Sequence, residues 1–304
     1  MPSESHRSLA RRGCLAVVLA SILFSAKSVV IKLCFRHGIQ PMPLMALRSL
    51  FSLPFYLVIG CLSLAGMGKG EAAPLRTREV LAVAGLGLLG FYVASIFDVM
   101  GLQFVSAGLE RLILFTYPTW VVLLSALLLG KALGRKLWFP LALSYSGMLL
   151  SFGGEAAAGP GKGLFLGGAL ILASAVSYAL FLVFQGGLMD RVGPQRLTAY
   201  AMLSASLAVF AHFALFHPVT TLVQPPTVYG LALVLSVFCS VIPAFLFAYG
   251  VKTVGTGPAA ILSSVGPVAT LFLGWWLLGE PAGFPQVAGM ALVMAGGLKL
   301  GMGR

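Results

Sequence analysis

Residues 101–150 and 250–299 of this 304-residue chain lie over each other at a constant offset of 149 without a gap. Gly101, Val105, Gly108, Pro118, Leu128, Leu129, Gly130, Ala142, Leu143, Gly147 and Leu149 recur as Gly250, Val254, Gly257, Pro267, Leu277, Leu278, Gly279, Ala291, Leu292, Gly296 and Leu298. The repeated Gly and Pro weigh more than the repeated Leu and Ala, because they fix backbone geometry while apolar matches arise by chance. Upstream, an offset of 153 lays Pro41, Leu44 and Ala46 on Pro194, Leu197 and Ala199, so a connecting loop is four residues shorter in the second copy. The chain reads as an internal duplication, with units over 14–152 and 163–301.

Hydrophobic residues make up 59% of the chain and charged residues 9%, against about 25% charged in soluble domains. Crossing a bilayer core takes about 20 apolar residues per helix. Such stretches fall near 13–35, 43–66, 79–102, 106–130, 135–154, 163–188, 195–217, 227–250, 257–279 and 283–301. The expected fold is an all-α integral membrane protein of ten transmembrane helices, five in each copy.

The location of the charges decides what the net +12 means. With the N-terminus in the cytoplasm, the inner segments hold Arg7, Arg11, Arg12, Lys69, Arg76, Arg78, Lys131, Arg135, Lys136, Arg191, Arg196, Lys252, Lys299 and Arg304, and the outer loops hold Arg36 and Lys162. That bias is the positive-inside pattern. It explains the basic chain by topology, without a nucleic-acid partner. The chain is thus expected to span the inner membrane many times, with both termini cytoplasmic. Five is odd, so the second copy starts from the opposite side, and the two copies run upside down relative to each other. Inverted repeats around a central cavity are a transporter signature.

Cys14, Cys34, Cys61 and Cys239 show no ligand spacing, the four histidines are scattered, and no Gly-rich nucleotide loop occurs. No cofactor or metal is expected. The basic N-terminus followed by an apolar run imitates a signal peptide, but nine further apolar stretches follow and the segment is expected to be retained.

The run from Gly108 through Glu110, Arg111, Tyr117 and Pro118 to Gly130 resembles the fourth helix of EamA-type transporters of the drug/metabolite transporter superfamily. Gly257 to Pro267, with Leu277-Leu278-Gly279-Glu280-Pro281, resembles its partner in the second repeat. The resemblance covers about 14–301. It implies a basket of ten helices around a cavity lined mainly by helices 1, 3, 4, 6, 8 and 9. It also implies substrates such as amino acids, nucleotide sugars, riboflavin or metallophores of the nicotianamine and opine kind, with export common among the bacterial members.

Six ionisable side chains lie inside stretches of the first copy: Lys27, Lys32, Arg48, Asp98, Glu110 and Arg111. Each costs about 2.5–3.5 kcal/mol to insert, so such residues are functional candidates by default. All six fall in the outer half of the bilayer, and their counterparts Leu180, Gln185, Ala201, Phe247, Ala259 and Ala260 are uncharged. One reading is an ion-pair network, with Asp98 or Glu110 held by Arg48 or Arg111 and Lys32 reaching the headgroups. The other starts from the two cations left over, which attract a substrate carboxylate to Lys27 and Arg111.

Ser21, Ser25, Ser28 and Lys32 form one polar stripe on helix 1, matched on helix 6 by Ser174, Ser177 or Tyr178, and Gln185. Small serines also suit plain helix packing. Pro118 and Pro267 interrupt the two equivalent helices, where freed carbonyls and the neighbouring Tyr117 and Ser263 could meet a solute and the kinks could act as hinges. The expected substrate-binding set is therefore Lys27, Ser28, Glu110, Arg111, Tyr117, Ser177, Tyr178 and Ser263. Pro118 and Pro267 are the expected hinges, and Lys32, Arg48 and Asp98 the accompanying charge network.

These features favour a secondary transporter exporting a carboxylate-bearing metabolite, an amino acid or a derived compound such as a metallophore. Its partners are that small molecule and the lipid bilayer, and the oligomeric state stays open, a monomer being one reading. Efflux of cationic drugs is an alternative, disfavoured because the first helix carries Lys27 where small relatives of the superfamily use an acid. A membrane enzyme lacks paired acids at a membrane face, and a non-transporting sensor or scaffold leaves the duplicated prolines without a purpose.

Overall fold

The computed structural model describes residues 4–65, 75–130, 138–157, 159, 163–263 and 265–302. Lys69, Lys131, Arg135, Lys136, Lys162 and Arg304 of the charge pattern lie outside them. The described residues group into helical runs that we number in chain order. They are α1 Glu4–Arg36, α2 Pro41–Ala65, α3 Thr77–Gly101, α4 Ala107–Leu129, α5 Trp138–Ala157, α6 Leu164–Val192 and α7 Pro194–Phe216. Then follow α8 Pro226–Val254, α9 as Thr256–Ser263 and Val265–Leu278, and α10 Phe284–Met302.

Seven runs, α1–α4 and α6–α8, contain a stretch long and apolar enough to cross a membrane. α5 carries Ser144, Tyr145, Ser146, Ser151 and Glu155 within its length. Among the described residues, α9 and α10 contain shorter apolar helices, over Val265–Leu278 and Phe284–Gly296. Leu62, Leu127, Phe165, Leu215 and Phe284 stand exposed on the outside of the bundle, as lipid contact requires and water would not favour.

Proline explains why α4 breaks where it does. It has no N–H to give and its ring clashes with the carbonyl four residues earlier. The first segment of α4 ends at Leu114, four residues before Pro118, and Pro267 stands at the equivalent place in α9. At the α4 break Ile113 O accepts from both Thr116 N, at 3.0 Å, and Thr116 Oγ1, at 2.6 Å. Further on, Gly130 and Gly279 end their helices at φ of 65° and 68°, a left-handed geometry open to glycine. A π-turn over Leu88–Val93 in α3 has its counterpart over Val237–Val241 in α8, again 149 residues later.

Close approaches of glycine recur in the same way. A methyl placed on Gly101 of α3 would lie 2.9 Å from Gly167 O of α6, and one on Gly250 of α8 would lie 3.0 Å from Gly13 O of α1. Along the α5/α10 seam, Gly147 presses on the Gly289 carbonyl and Gly296 on that of Pro140. Gly296 and Pro140 are the positions 149 residues from Gly147 and Gly289, so each contact has a counterpart with the roles exchanged. The paired numbers run in opposite directions, which makes α5 and α10 antiparallel.

The seam leaves no room for a side chain at Gly147, where Leu292 Cβ and Val293 Cγ2 would lie 2.8 and 2.9 Å from an added methyl, whereas Gly153 on the same helix has open space. Overpacking of this kind costs about 1–3 kcal/mol. Gly147→Ala is expected to lower the thermal unfolding temperature of the purified protein, and Gly153→Ala to leave it unchanged or raised.

Candidate functional site

The first turn of α4 collects most of the chemistry. A helix start leaves backbone N–H groups unpaired and carries a partial positive charge, and here two acids from elsewhere in the chain answer it. Glu155, at the end of α5, accepts from Ser106 N at 2.8 Å and Ser106 Oγ at 2.6 Å, while Ser106 Oγ accepts from Leu109 N at 3.0 Å. Glu280, just past α9, accepts from Ala107 N with both oxygens at 3.0 and 2.9 Å. Lys32 of α1 bridges the assembly, 3.1 Å from Glu280 Oε1 and donating 2.6 Å to Val105 O. One turn on, Arg36 donates to Leu278 O. This end of the bundle is thus clasped by α1, the start of α4 and the ends of α5 and α9.

The opposite end has its own clasp. Arg191 at the end of α6 lies 2.7 Å from Glu79 at the start of α3, whose other oxygen accepts from Arg76 N at 2.9 Å. The Arg191 side chain is 60% exposed, so this pair is open to water and weaker than the other clasp.

Between the clasps lies a buried charged layer. Consecutive residues of α1 each grip an acid on a different helix: Lys27 Nζ sits 2.6 Å from Asp98 Oδ2 on α3, and Ser28 Oγ donates 2.6 Å to Glu110 Oε2 on α4. Asp98 is 2% exposed and Glu110 0%. Asp98 Oδ1 and Glu110 Oε1 are buried and have no hydrogen-bond partner among the described residues.

Arg111 follows Glu110 but points away from it, because successive helix residues are turned by about 100°. Its Nη2 lies against Gly266, where Ser25 Oγ also arrives, each 3.0 Å from a methyl built on that glycine. The guanidinium therefore reaches the segment of α9 that carries Pro267. Arg111 Nε is buried without a partner among the described residues. Nearby, Tyr117 meets Tyr178 of α6 edge to face at 5.5 Å, and Tyr178 stacks on Phe181 at 5.8 Å.

The expected residues thus divide into separate places. Lys27, Ser28, Asp98 and Glu110 form the buried layer, Arg111 reaches Gly266 of α9, and Tyr117 meets Tyr178 between α4 and α6. Ser177 instead donates 2.7 Å to Leu89 O in the π-turn of α3, and Ser263 is half-buried on α9. Arg48 sits apart, in a gap of about 150 Å³ among Ile31, Leu44, Met45, Val99 and Leu235 that is too narrow for water. A wider apolar crevice, about 280 Å³, opens at Pro54, Phe55, Val58, Ile59 and Phe245, away from the charges.

Two expectations about pairing are revised. Asp98 is held by Lys27 rather than by Arg48 or Arg111, since Lys27 and Asp98 face each other across α1 and α3. Lys32 turns inward to Glu280 instead of to headgroups. Glu280 and Glu155 were missed because both lie where helices end, outside the apolar stretches. Ser106, a side chain suited to capping just before the α4 pattern begins, was the available signal that a helix start lay there to be answered. Ser21 and Ser25 donate to carbonyls of their own helix, Val17 O at 2.8 Å and Ser21 O at 2.6 Å, so they serve packing.

The sequence profile of the EamA-like transporter family matches residues 11–153 and again 165–300. The chain belongs to this family. It is 30% identical over 288 residues to the uncharacterized transporter YcbK of Bacillus subtilis (strain 168), covering 92% of this chain and 89% of that one. It is 27% identical over 286 residues to an uncharacterized transporter of Archaeoglobus fulgidus, covering 94% and 95%. A solved crystal structure superposes with a TM-score of 0.62 at 18% identity, over 94% of this chain and 95% of the other, a likeness of fold. The protein is a multi-pass membrane transporter of small molecules by family.

Glu280 links three elements, and charge-assisted hydrogen bonds contribute about 1.5–3 kcal/mol each. Cys34, fully buried on α1 between Lys32 and Arg36, reports on the clasp. With Cys14, Cys61 and Cys239 replaced by Ala, Glu280→Gln is expected to speed labelling of Cys34 by a soluble maleimide at least about tenfold, through more frequent local opening.

Proposed function

We propose that this protein is a secondary transporter of the inner membrane that exports a carboxylate-bearing small metabolite, an amino acid or a compound derived from one. The observation that carries the reading is Arg111, a half-buried arginine whose Nε is buried without a partner among the described residues and whose guanidinium reaches Gly266 of α9. A guanidinium grips a carboxylate through two parallel hydrogen bonds. Lys27 and Lys32 are engaged by Asp98 and Glu280 and Arg48 is enclosed in a gap too narrow even for water, which leaves Arg111 to take such a group. The buried layer holds the site on one side, and the α9 segment with Gly266 and Pro267 lies on the other.

In this reading ten helices cross the membrane as two antiparallel five-helix units, over 14–152 and 163–301, with both termini in the cytoplasm. The matching prolines and π-turns support the duplication. The exchanged contacts along the antiparallel α5/α10 seam support the inversion, because two antiparallel helices are related by an axis perpendicular to both. The concentration of Lys and Arg at one side supports the orientation. The clasp at Lys32 and Glu280 then faces outward and that at Glu79 and Arg191 inward. Each must release for solute to pass, and the two do so in turn.

Comparing metabolites inside and outside cells, with and without this gene, identifies the solute and the direction together. For that solute, Arg111→Gln is expected to weaken apparent affinity at least about tenfold, the loss of one charge-assisted contact, with unchanged thermal stability. Arg111→Lys is expected to fall between. Normal transport by Arg111→Gln, or an identified solute without an anionic group, would refute the assignment.

A further inference from the structure

Glu110 presents a charge problem that the transport reading does not use. Its carboxyl is fully buried, receives one hydrogen bond, from Ser28 Oγ, and leaves Oε1 without a partner among the described residues. Lys27 and Ser28, adjacent on α1, bring Asp98 of α3 and Glu110 of α4 to one place, and Asp98 Oδ1 is likewise buried and without a partner among the described residues. The charged groups acting on Glu110 are Asp98 on α3, Lys27 on α1 and Arg111 on α4. The other elements packed against its turn direct their titratable groups elsewhere. Glu155 of α5 goes to Ser106, Glu280 after α9 to Ala107 N and Lys32, and Tyr178 of α6 to Tyr117. α10 carries Lys299, which lies over Phe139.

Two facing carboxylates cannot both stay ionised away from water. Lys27 is in contact with Asp98 and stabilises its charge. Glu110 has no cation within salt-bridge distance among the described residues, so it is the member that must be neutral. A proton on Oε1 solves both local deficits at once: the hydroxyl donates to Asp98 Oδ1, and no buried carboxyl oxygen is left unpaired. The repeat supplies Leu180, Phe247 and Ala259 at the positions of Lys27, Asp98 and Glu110, so the fold itself has no need of this arrangement.

We propose that Glu110 is a proton-binding site of the transporter, holding one exchangeable proton that it shares with Asp98 while α1 is docked. Lys27 and Ser28 are neighbours on α1, so one movement of that helix relative to α3 and α4 breaks both grips. It admits water, to which Glu110 then gives up the proton, leaving a carboxylate and a hydronium ion. Proton release is thereby tied to a movement of α1. The inference does not depend on which solute is carried or on Arg111.

The test is infrared difference spectroscopy of the full-length protein in lipid vesicles at neutral pH. The carbonyl stretch of a protonated carboxylic acid is expected in the wild type. It should disappear in Glu110→Gln and persist in Glu155→Gln and Glu280→Gln. It should also fade in Asp98→Asn, where the facing negative charge is gone and Lys27 is left to hold Glu110 as a carboxylate. Transfer to heavy water is expected to shift the band, because the proton exchanges. Glu110→Gln, which replaces a neutral group by a neutral one, should unfold at the wild-type temperature. A wild-type spectrum without the band, a band that survives in Glu110→Gln, or one that never shifts in heavy water would each overturn the proposal.

Discussion

A charge inside an apolar bundle must be matched within a few ångströms, because neither lipid nor packed side chains can solvate it. The contact between Lys27 and Asp98 is where this protein meets that requirement most directly, and the rest of the interior is arranged around it. It fixes α1 against α3, and through the adjacent Ser28 it fixes α1 against α4 at Glu110. With those three helices registered, Arg111 on the next position of α4 is turned toward α9, and Lys32 one turn further along α1 reaches Glu280. One pair thus sets the position of the groups that are left unpaired.

The scaffold and the chemistry follow different symmetries. Prolines, π-turns, left-handed glycines and close glycine contacts recur at matching positions in both halves, whereas the layer of Lys27, Asp98 and Glu110 has no charged counterpart in the second half. In the proposed reading, the duplicated frame supplies two related packings of similar units and the unduplicated charges one binding place rather than two. The clasps are also unlike: that at Lys32 is part-buried and joined to the α4 helix start, while that at Arg191 is largely exposed. The two ends therefore resist opening unequally.

Much of this was legible in the sequence, and the exceptions have physical reasons. Pro118 announced the broken α4 because the consequence of a proline is local. The repeated Gly147 and Gly296 marked the seam because no side chain fits there. The π-turns left no trace, since an extra residue in a turn demands no particular side chain. Ion-pair partners could not be chosen from helix numbering, because rotation about each axis decides whether Lys27 or Arg48 faces Asp98. Glu280 and Glu155 escaped notice for a related reason: each satisfies backbone N–H groups more than 100 or nearly 50 positions away, 173 for Glu280 and 49 for Glu155.

The central claim is that the buried layer exists for transport and not only to hold helices together. The measurement that tests it most directly compares the Lys27→Gln/Asp98→Asn double variant with the wild type, reading stability and metabolite gradients across the membrane in the same cells. Removing both charges relieves the burden of either one alone, so the double variant is expected to fold with near wild-type stability and to lose the gradient. A double variant that is equally stable and maintains the wild-type gradient would contradict the account.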